Sequence, residues 1–252
     1  MRRLRAGSDE GMTLTELALV MLILGIIVAA TASLSIGFMR TNAANVSRQD
    51  QIDTARSAVE RMSETIRTAV KPSQLISAQA CTTTCGSIDA FMQGQDMSVA
   101  FYANIDNPGN QVGPSRVTYA LGTSGADAGV LTETVQIPDP EYTQPQPDGY
   151  YYCAATDPLA TTTCKSTLTV RRLADGVLST QPIFTYYGPD GSQLLTNTTG
   201  LTAEDLNQVL AIQIVLTVQS TNVSKPQPTT YIQRITLPNA QAVLQQGKDQ
   251  SP

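Results

Sequence analysis

The chain has 252 residues, a net charge of −5 and 15% charged side chains, with neither His nor Trp. Absence of His removes the commonest general base and the commonest metal ligand together. The acidic balance argues against non-specific phosphate binding over the whole surface, so no nucleic-acid partner is expected.

Residues 1–10, MRRLRAGSDE, place Arg2, Arg3 and Arg5 ahead of a long apolar run. By the positive-inside rule this end stays cytoplasmic and the C-terminal bulk lies outside, although Arg40 and Arg48 beyond the run weaken the asymmetry. Between Glu16 and Arg40 lie 23 residues without a charge. At ~1.5 Å rise each they make a helix of roughly 35 Å, enough to cross a bilayer core of about 30 Å with some tilt. Residues 12–39 therefore read as a single membrane span, with Glu16 at its N-terminal edge as a carboxylate that needs a reason. A cleaved secretory signal is the rival, because Ala30-Thr31-Ala32 is a small-residue cleavage site. Against it, Asp9, Glu10 and Glu16 stand in what would be a basic leader, and the uncharged run continues to Met39.

Residues 40–71 become polar but keep a helical period. Ile52, Ala55, Val59, Met62, Ile66 and Ala69 recur at spacings of three and four as one apolar stripe, expected to pack on the chain's own sheet. Charged neighbours such as Asp53 with Arg56 and Glu64 with Arg67 add a few tenths of a kcal/mol each. Pro72 disfavours helical geometry at Lys71, which sets the expected end of one continuous helix.

Beyond Pro72 the period changes to two. The alternation predicts strands at 98–103, 116–121, 130–137, 150–153, 167–173, 183–187, 209–218 and 231–237. In LAIQIVLTV the residues Leu210, Ile212, Ile214, Leu216 and Val218 define a core face, with Val215 hinting at partial burial of the other. GPDG at 188–191 is a turn whose Asp190 needs no calcium. Residues 106–115 and 138–149 are Pro-rich surface connections, Tyr150 to Tyr152 a strand with one buried and two exposed rings, and 239–252 a frayed tail.

The four cysteines form two local pairs, Cys81 with Cys85 and Cys153 with Cys164, three and ten residues intervening. Two local disulfides in an oxidising compartment are the simplest reading, although four cysteines allow three pairings and a four-thiolate zinc site is the rival. There is no triad, phosphate loop, nucleophile elbow or metal-ligand helix. No enzyme, metal or other cofactor is expected.

Gly11 followed by Met12-Thr13-Leu14-Thr15-Glu16-Leu17, after a short basic leader and before a charge-free span, resembles the processing site of type IV pilins and type II secretion pseudopilins. The resemblance implies cleavage after Gly11 by a prepilin peptidase, methylation of the new amine on Met12, and Glu16 as the fifth mature residue, paired with a neighbouring subunit's N-terminal amine in the filament. Met12 stands where Phe is usual, and Ser33 where many pilin helices carry a kinking Pro. The helix ARSAVERMSETIRTAV, the IFTYYGPDGSQL hairpin and the last two strands resemble the J-type pseudopilins and W-type minor pilins.

The resulting expectation is an α+β, pilin-like fold: leader 1–11, membrane or filament-core helix 12–39, its amphipathic continuation 40–71, an extracytoplasmic antiparallel β head 72–238 and a tail 239–252. The expected role is a minor pilus or pseudopilus subunit, with other pilin subunits, prepilin peptidase, the assembly platform and membrane lipid as partners. It would pass from the bacterial cytoplasmic membrane to a surface pilus or pseudopilus. The alternative is a secreted or anchored binding domain, adhesin-like, with an ordinary signal sequence.

Overall fold

The computed structural model of the chain describes residues 13–75, 89–106, 113–141, 150–220 and 227–237. One helix, α1 (Leu14–Arg67), runs unbroken for 54 residues, about 80 Å at ~1.5 Å per residue. Every residue from Thr13 to Ala43 is exposed, and Ser47 is the first buried position. The N-terminal half of α1 thus projects from the rest of the molecule, and the C-terminal half is docked.

Docking uses the expected stripe with one correction. Ala55, Val59, Met62, Ile66 and Ala69 are buried, whereas Ile52 stays 39% exposed. Ala58 and Ser63 are buried beside the stripe, small enough to bring the helix close to the strands beneath it. Arg56 turns to Glu60 at 2.8 Å, an i,i+4 pair on the open face, rather than to Asp53. α1 also ends before the expected boundary at Lys71. Thr68 caps it, its N–H donating to the Thr65 and Ile66 carbonyls. Ala69 then bridges Ala103, and the Val70 N–H donates to the Tyr102 carbonyl at 3.0 Å. Strand pairing has captured the chain before Pro72 acts, and Pro72–Gln74 forms only a short 3-10 turn.

The fold class is α+β, the helix packing on antiparallel strands in two sheets rather than one. The first is a meander of five, β1 (Phe91–Gly94), β2 (Ser98–Ala103), β3 (Ser115–Leu121), β4 (Leu131–Gln136) and β5 (Leu168–Ala174), each paired with the next. The second joins β6 (Phe184–Tyr187), β7 (Gln193–Leu194), β8 (Ala211–Val218) and β9 (Thr229–Thr236) in the order β7-β6-β8-β9. Two short helices, α2 (Thr162–Ser166) and α3 (Ala203–Gln208), and a 3-10 turn at Gly125–Asp127 complete the described elements. Each begins at a threonine, Thr161 or Thr202, whose hydroxyl accepts a first-turn N–H.

Alternation places Val117, Tyr119 and Leu121 of β3, Leu131 and Val135 of β4, and Ile212, Ile214 and Leu216 of β8 in one core with the buried side of α1. The predicted core face of β8 is there, except that Leu210 before it is half-buried; Val215 on the reverse side is half-buried as anticipated. The sheets are stitched by backbone. Val177 bridges Val218, the Leu178 N–H donates to the Thr217 carbonyl, and both the Ile183 and Phe184 N–H groups reach the Asp96 carbonyl. Gly176 makes the crossing possible. Its φ is +70°, and a Cβ there would lie 2.3 Å from the Gln219 carbonyl oxygen.

Residues 150–153 are not a strand. The tyrosines there go different ways: Tyr152 donates its hydroxyl to the Pro114 carbonyl, Tyr150 lies against Gly113, and Tyr151 remains 48% exposed. Cys153 is instead half of a disulfide to Cys164, with Cα atoms 5.9 Å apart. The bond pins the loop before α2 to the sheet edge, where the Gln136 amide donates to the Cys153 carbonyl at 2.6 Å. Closing a loop of this length removes about 3 kcal/mol of unfolded-state entropy in the chain-entropy model. Cys164→Ser paired with Cys153→Ser is expected to lower unfolding free energy by that order, measured by denaturant titration of the full chain in detergent. Cys81 and Cys85 lie outside the described residues.

Candidate functional site

The exposed half of α1 is the feature that the core does not explain. Its most apolar stretch has no buried residue, and the helix is long and apolar enough to cross a membrane. Leu14 is 84% exposed and Phe38 is 74% exposed. Burying one such side chain is worth roughly 1.5–3 kcal/mol, so a surface carrying this many needs lipid or other protein around it. Gly25 and Gly37 cause no break, and a Cβ at either would meet nothing within 4 Å.

The N-terminal edge holds a polar device. Thr13 is the N-cap, in an extended conformation with φ −73° and ψ 150°. Its hydroxyl oxygen accepts the Glu16 N–H at 3.3 Å, and the Glu16 carboxylate accepts the Thr13 N–H at 3.1 Å. This reciprocal capping box satisfies backbone donors that would otherwise be orphaned at the apolar end. The Glu16 carboxylate also accepts the Thr13 hydroxyl at 3.1 Å. Its charge sits at the positive end of the helix dipole, where an acid is stabilised. Glu16 therefore has a local partner in the single chain. The T-x-x-E spacing of Thr13-Leu14-Thr15-Glu16 carries that signal in the sequence, masked by the apolar run in which it is set. Gly11 and Met12 lie outside the described residues.

A second cluster locks α1 to the head. Glu133 of β4 is 1% exposed and accepts the Arg61 Nε at 3.0 Å, the Arg171 Nη1 at 2.8 Å and the Tyr119 hydroxyl at 2.8 Å. Three elements thus contribute donors to one buried carboxylate: α1, β5 and β3. Arg171 is its cross-strand partner in register. Burial pushes the Tyr119 phenol well above its ordinary range, so it remains a neutral donor at any physiological pH. With its oxygens engaged this carboxylate acts as a fastening. Nearby, the Gln233 amide of β9 donates to the Ser63 hydroxyl of α1 at 3.0 Å.

The remaining polar groups close loops. Lys71 joins Asp89 at 3.2 Å and Asn207 at 2.9 Å, tying the exit of α1 to α3. Asp190 accepts the Ser192 hydroxyl at 2.7 Å and its N–H at 3.0 Å, which holds the Asp190 carboxyl below its usual range and closes the predicted turn. Among the described residues no three His, Cys, Asp or Glu side chains gather as a group that could hold a metal ion. Comparisons with protein-family models, with curated proteins and with solved structures gave no match.

Proposed function

We propose that the chain is a minor pilin or pseudopilin, a structural subunit that helps prime or build a type IV pilus or a type II secretion pseudopilus. The observation that carries this is the uncovered apolar half of α1, headed by Glu16 and continuous with a half fastened into a β head. A lone membrane anchor needs the first feature but not the carboxylate or the fastening. A subunit that is lifted out of lipid needs all three, because the pull must reach the head through a stiff helix.

The Gly11-Met12 junction, the basic leader and the fifth-residue spacing of Glu16 supply the family resemblance. Cleavage after Gly11 would leave Thr13, and with it the cap on Glu16, intact. Before assembly the carboxylate is held by its own helix end; in a filament, a neighbour's Met12 amine would supply a full positive charge. The disulfide between Cys153 and Cys164 suits the extracytoplasmic side to which the proposed orientation assigns the head. Filament assembly then requires no chemistry from the chain itself.

Full-length tagged protein in its native host tests this. The chain is expected in the sheared filament or pseudopilus fraction only when the prepilin peptidase is active. Release into the medium as a free soluble head, independent of the peptidase, would count against it.

A further inference from the structure

The face of the first sheet opposite Glu133 is a grid of small side chains set by register. On β2 to β4, Ala100, Thr118 and Thr134 form one cross-strand row and Ser98, Ala120 and Thr132 the next, with Val170 and Arg172 continuing them on β5. The third row departs from the pattern, because Tyr102, Arg116, Gln136 and Leu168 are successive partners across four strands. Beside this row the segment 151–156 forms the wall of a cavity of about 440 Å³, with Arg116, Gln136, Tyr151, Tyr152 and Leu168 lining it. That size falls within the ~300–1,000 Å³ of small-ligand sites.

Arg116 is the cation of the cavity, and it forms no ion pair among the described residues. Its guanidinium carbon lies 5.1 Å from the centroid of the Tyr152 ring, within cation–π reach. The surroundings are fixed independently of any ligand. The Tyr152 hydroxyl donates to the Pro114 carbonyl at 2.5 Å, and its ring lies 6.0 Å from that of Tyr102. The Gln136 amide and the disulfide hold Cys153 from two sides. Gly113, at φ +105°, leaves room for the Tyr150 ring, whose nearest atom would be 2.2 Å from a Cβ there. Tyr151 keeps 48% of its surface exposed at the rim.

We infer that this cavity binds an acidic sugar, a uronate residue of a glycan, with Arg116 receiving the carboxylate and Tyr151 the apolar face of the sugar ring. A guanidinium presents paired donors that match a carboxylate. In a chain of net charge −5, a cation that lines a cavity and has no ion-pair partner among the described residues favours an anion. A bare inorganic anion would make no use of the 48%-exposed Tyr151, and an uncharged apolar ligand would offer the guanidinium no counter-charge. A uronate uses both, since its C–H face stacks on an aromatic ring while its carboxylate meets the guanidinium. The site is separate from α1 and does not depend on filament assembly.

Calorimetric titration of the full chain in detergent with trigalacturonate tests the assignment, with neutral galactotriose and acetate as controls. Trigalacturonate is expected to bind at least about tenfold more tightly than either control, a difference of about 1.4 kcal/mol. Arg116→Gln and Arg116→Lys should both weaken it at least about tenfold, the lysine because it loses the paired donors. Tyr151→Ala should weaken it, and Tyr151→Phe, which keeps the ring, should not. Absence of trigalacturonate binding at millimolar concentration overturns the proposal. So does acetate binding equal to the trisaccharide, which would make Arg116 a bare anion site, and so does undiminished binding by Arg116→Gln.

Discussion

Glu16→Ala and Glu16→Gln should both leave the chain inserted in the membrane and both exclude it from filaments. The two substitutions separate the roles that one carboxylate plays. Glutamine is competent in a capping box, so Glu16→Gln keeps an acceptor for the Thr13 N–H now held at 3.1 Å while removing the charge. Alanine removes both. Loss of a capping contact costs about 1 kcal/mol of helix stability, small beside the apolar transfer of a 23-residue uncharged run. Removing one partner of a desolvated, hydrogen-bonded charge pair costs about 2–5 kcal/mol, which corresponds to at least about a 30-fold fall in incorporation. The ratio of chain in sheared filaments to chain in membranes measures it. Incorporation of Glu16→Gln at the wild-type level would reduce Glu16 to a helix cap.

The second large effect is at Glu133. Glu133→Ala removes the carboxylate that accepts the buried Tyr119 hydroxyl and that Arg61 and Arg171 share. Breaking a buried pair by deleting one partner costs about 3–5 kcal/mol. The lower end applies here, because the Arg61 side chain is 39% exposed and that of Arg171 52%, so both reach water when released. Arg61→Met should cost less than Glu133→Ala, and Arg171→Met least, since Arg171 is the more solvent-screened of the two. Denaturant titration of the full chain in detergent gives the order. Hydrogen exchange should rise first in residues 51–66, where α1 rests on the strands. A Glu133→Ala loss below about 1 kcal/mol would show that apolar packing alone holds the helix.

Much of this architecture is visible in residue patterns because it follows from periodicity. The switch from a 3.6 period to a 2 period near Pro72 marks the division between α1 and the sheets, and the five buried stripe residues from Ala55 to Ala69 face the core. Strands whose alternation is strong, such as β8, occur where the pattern places them. Ile52 escapes burial because the docked face there runs through Ser47, Gln51 and Ala55 at a spacing of four, and Ile52 lies about 100° round the helix from Gln51. Phe91–Gly94 is too short and too irregular to show a period, its register shifting between Phe91 and Gln93. Tyr150 to Cys153 has the side chains of a strand but not the freedom to be one. The Tyr151 and Cys153 carbonyls accept the Asp139 N–H and the Gln136 amide, the Cys153 side chain is tied to Cys164, and the Tyr152 hydroxyl is held by Pro114.

The site was less legible than the fold. Glu16 stands out in sequence as a charge in apolar surroundings, yet its Thr13 cap depends on a three-residue spacing that is easily passed over inside a hydrophobic run. Arg61 and Glu133 are 72 positions apart, and nothing local to either marks the contact. Only strand register brings Glu133 beside Arg171, and only the packing of α1 brings Arg61 over both. The division into two sheets likewise rests on a turn at Gly176 and backbone bonds around Val177, features with no side-chain period.

Intact mass and N-terminal sequencing of the chain purified from its native membrane test the central claim most directly. Processing as a pilin-like subunit predicts a mature chain that begins at Met12 with a methylated amine, eleven residues shorter than the 252-residue chain. A mature chain beginning at Ser33, as an ordinary secretory signal would leave it, contradicts the claim, because it would remove Glu16 and the apolar helix together.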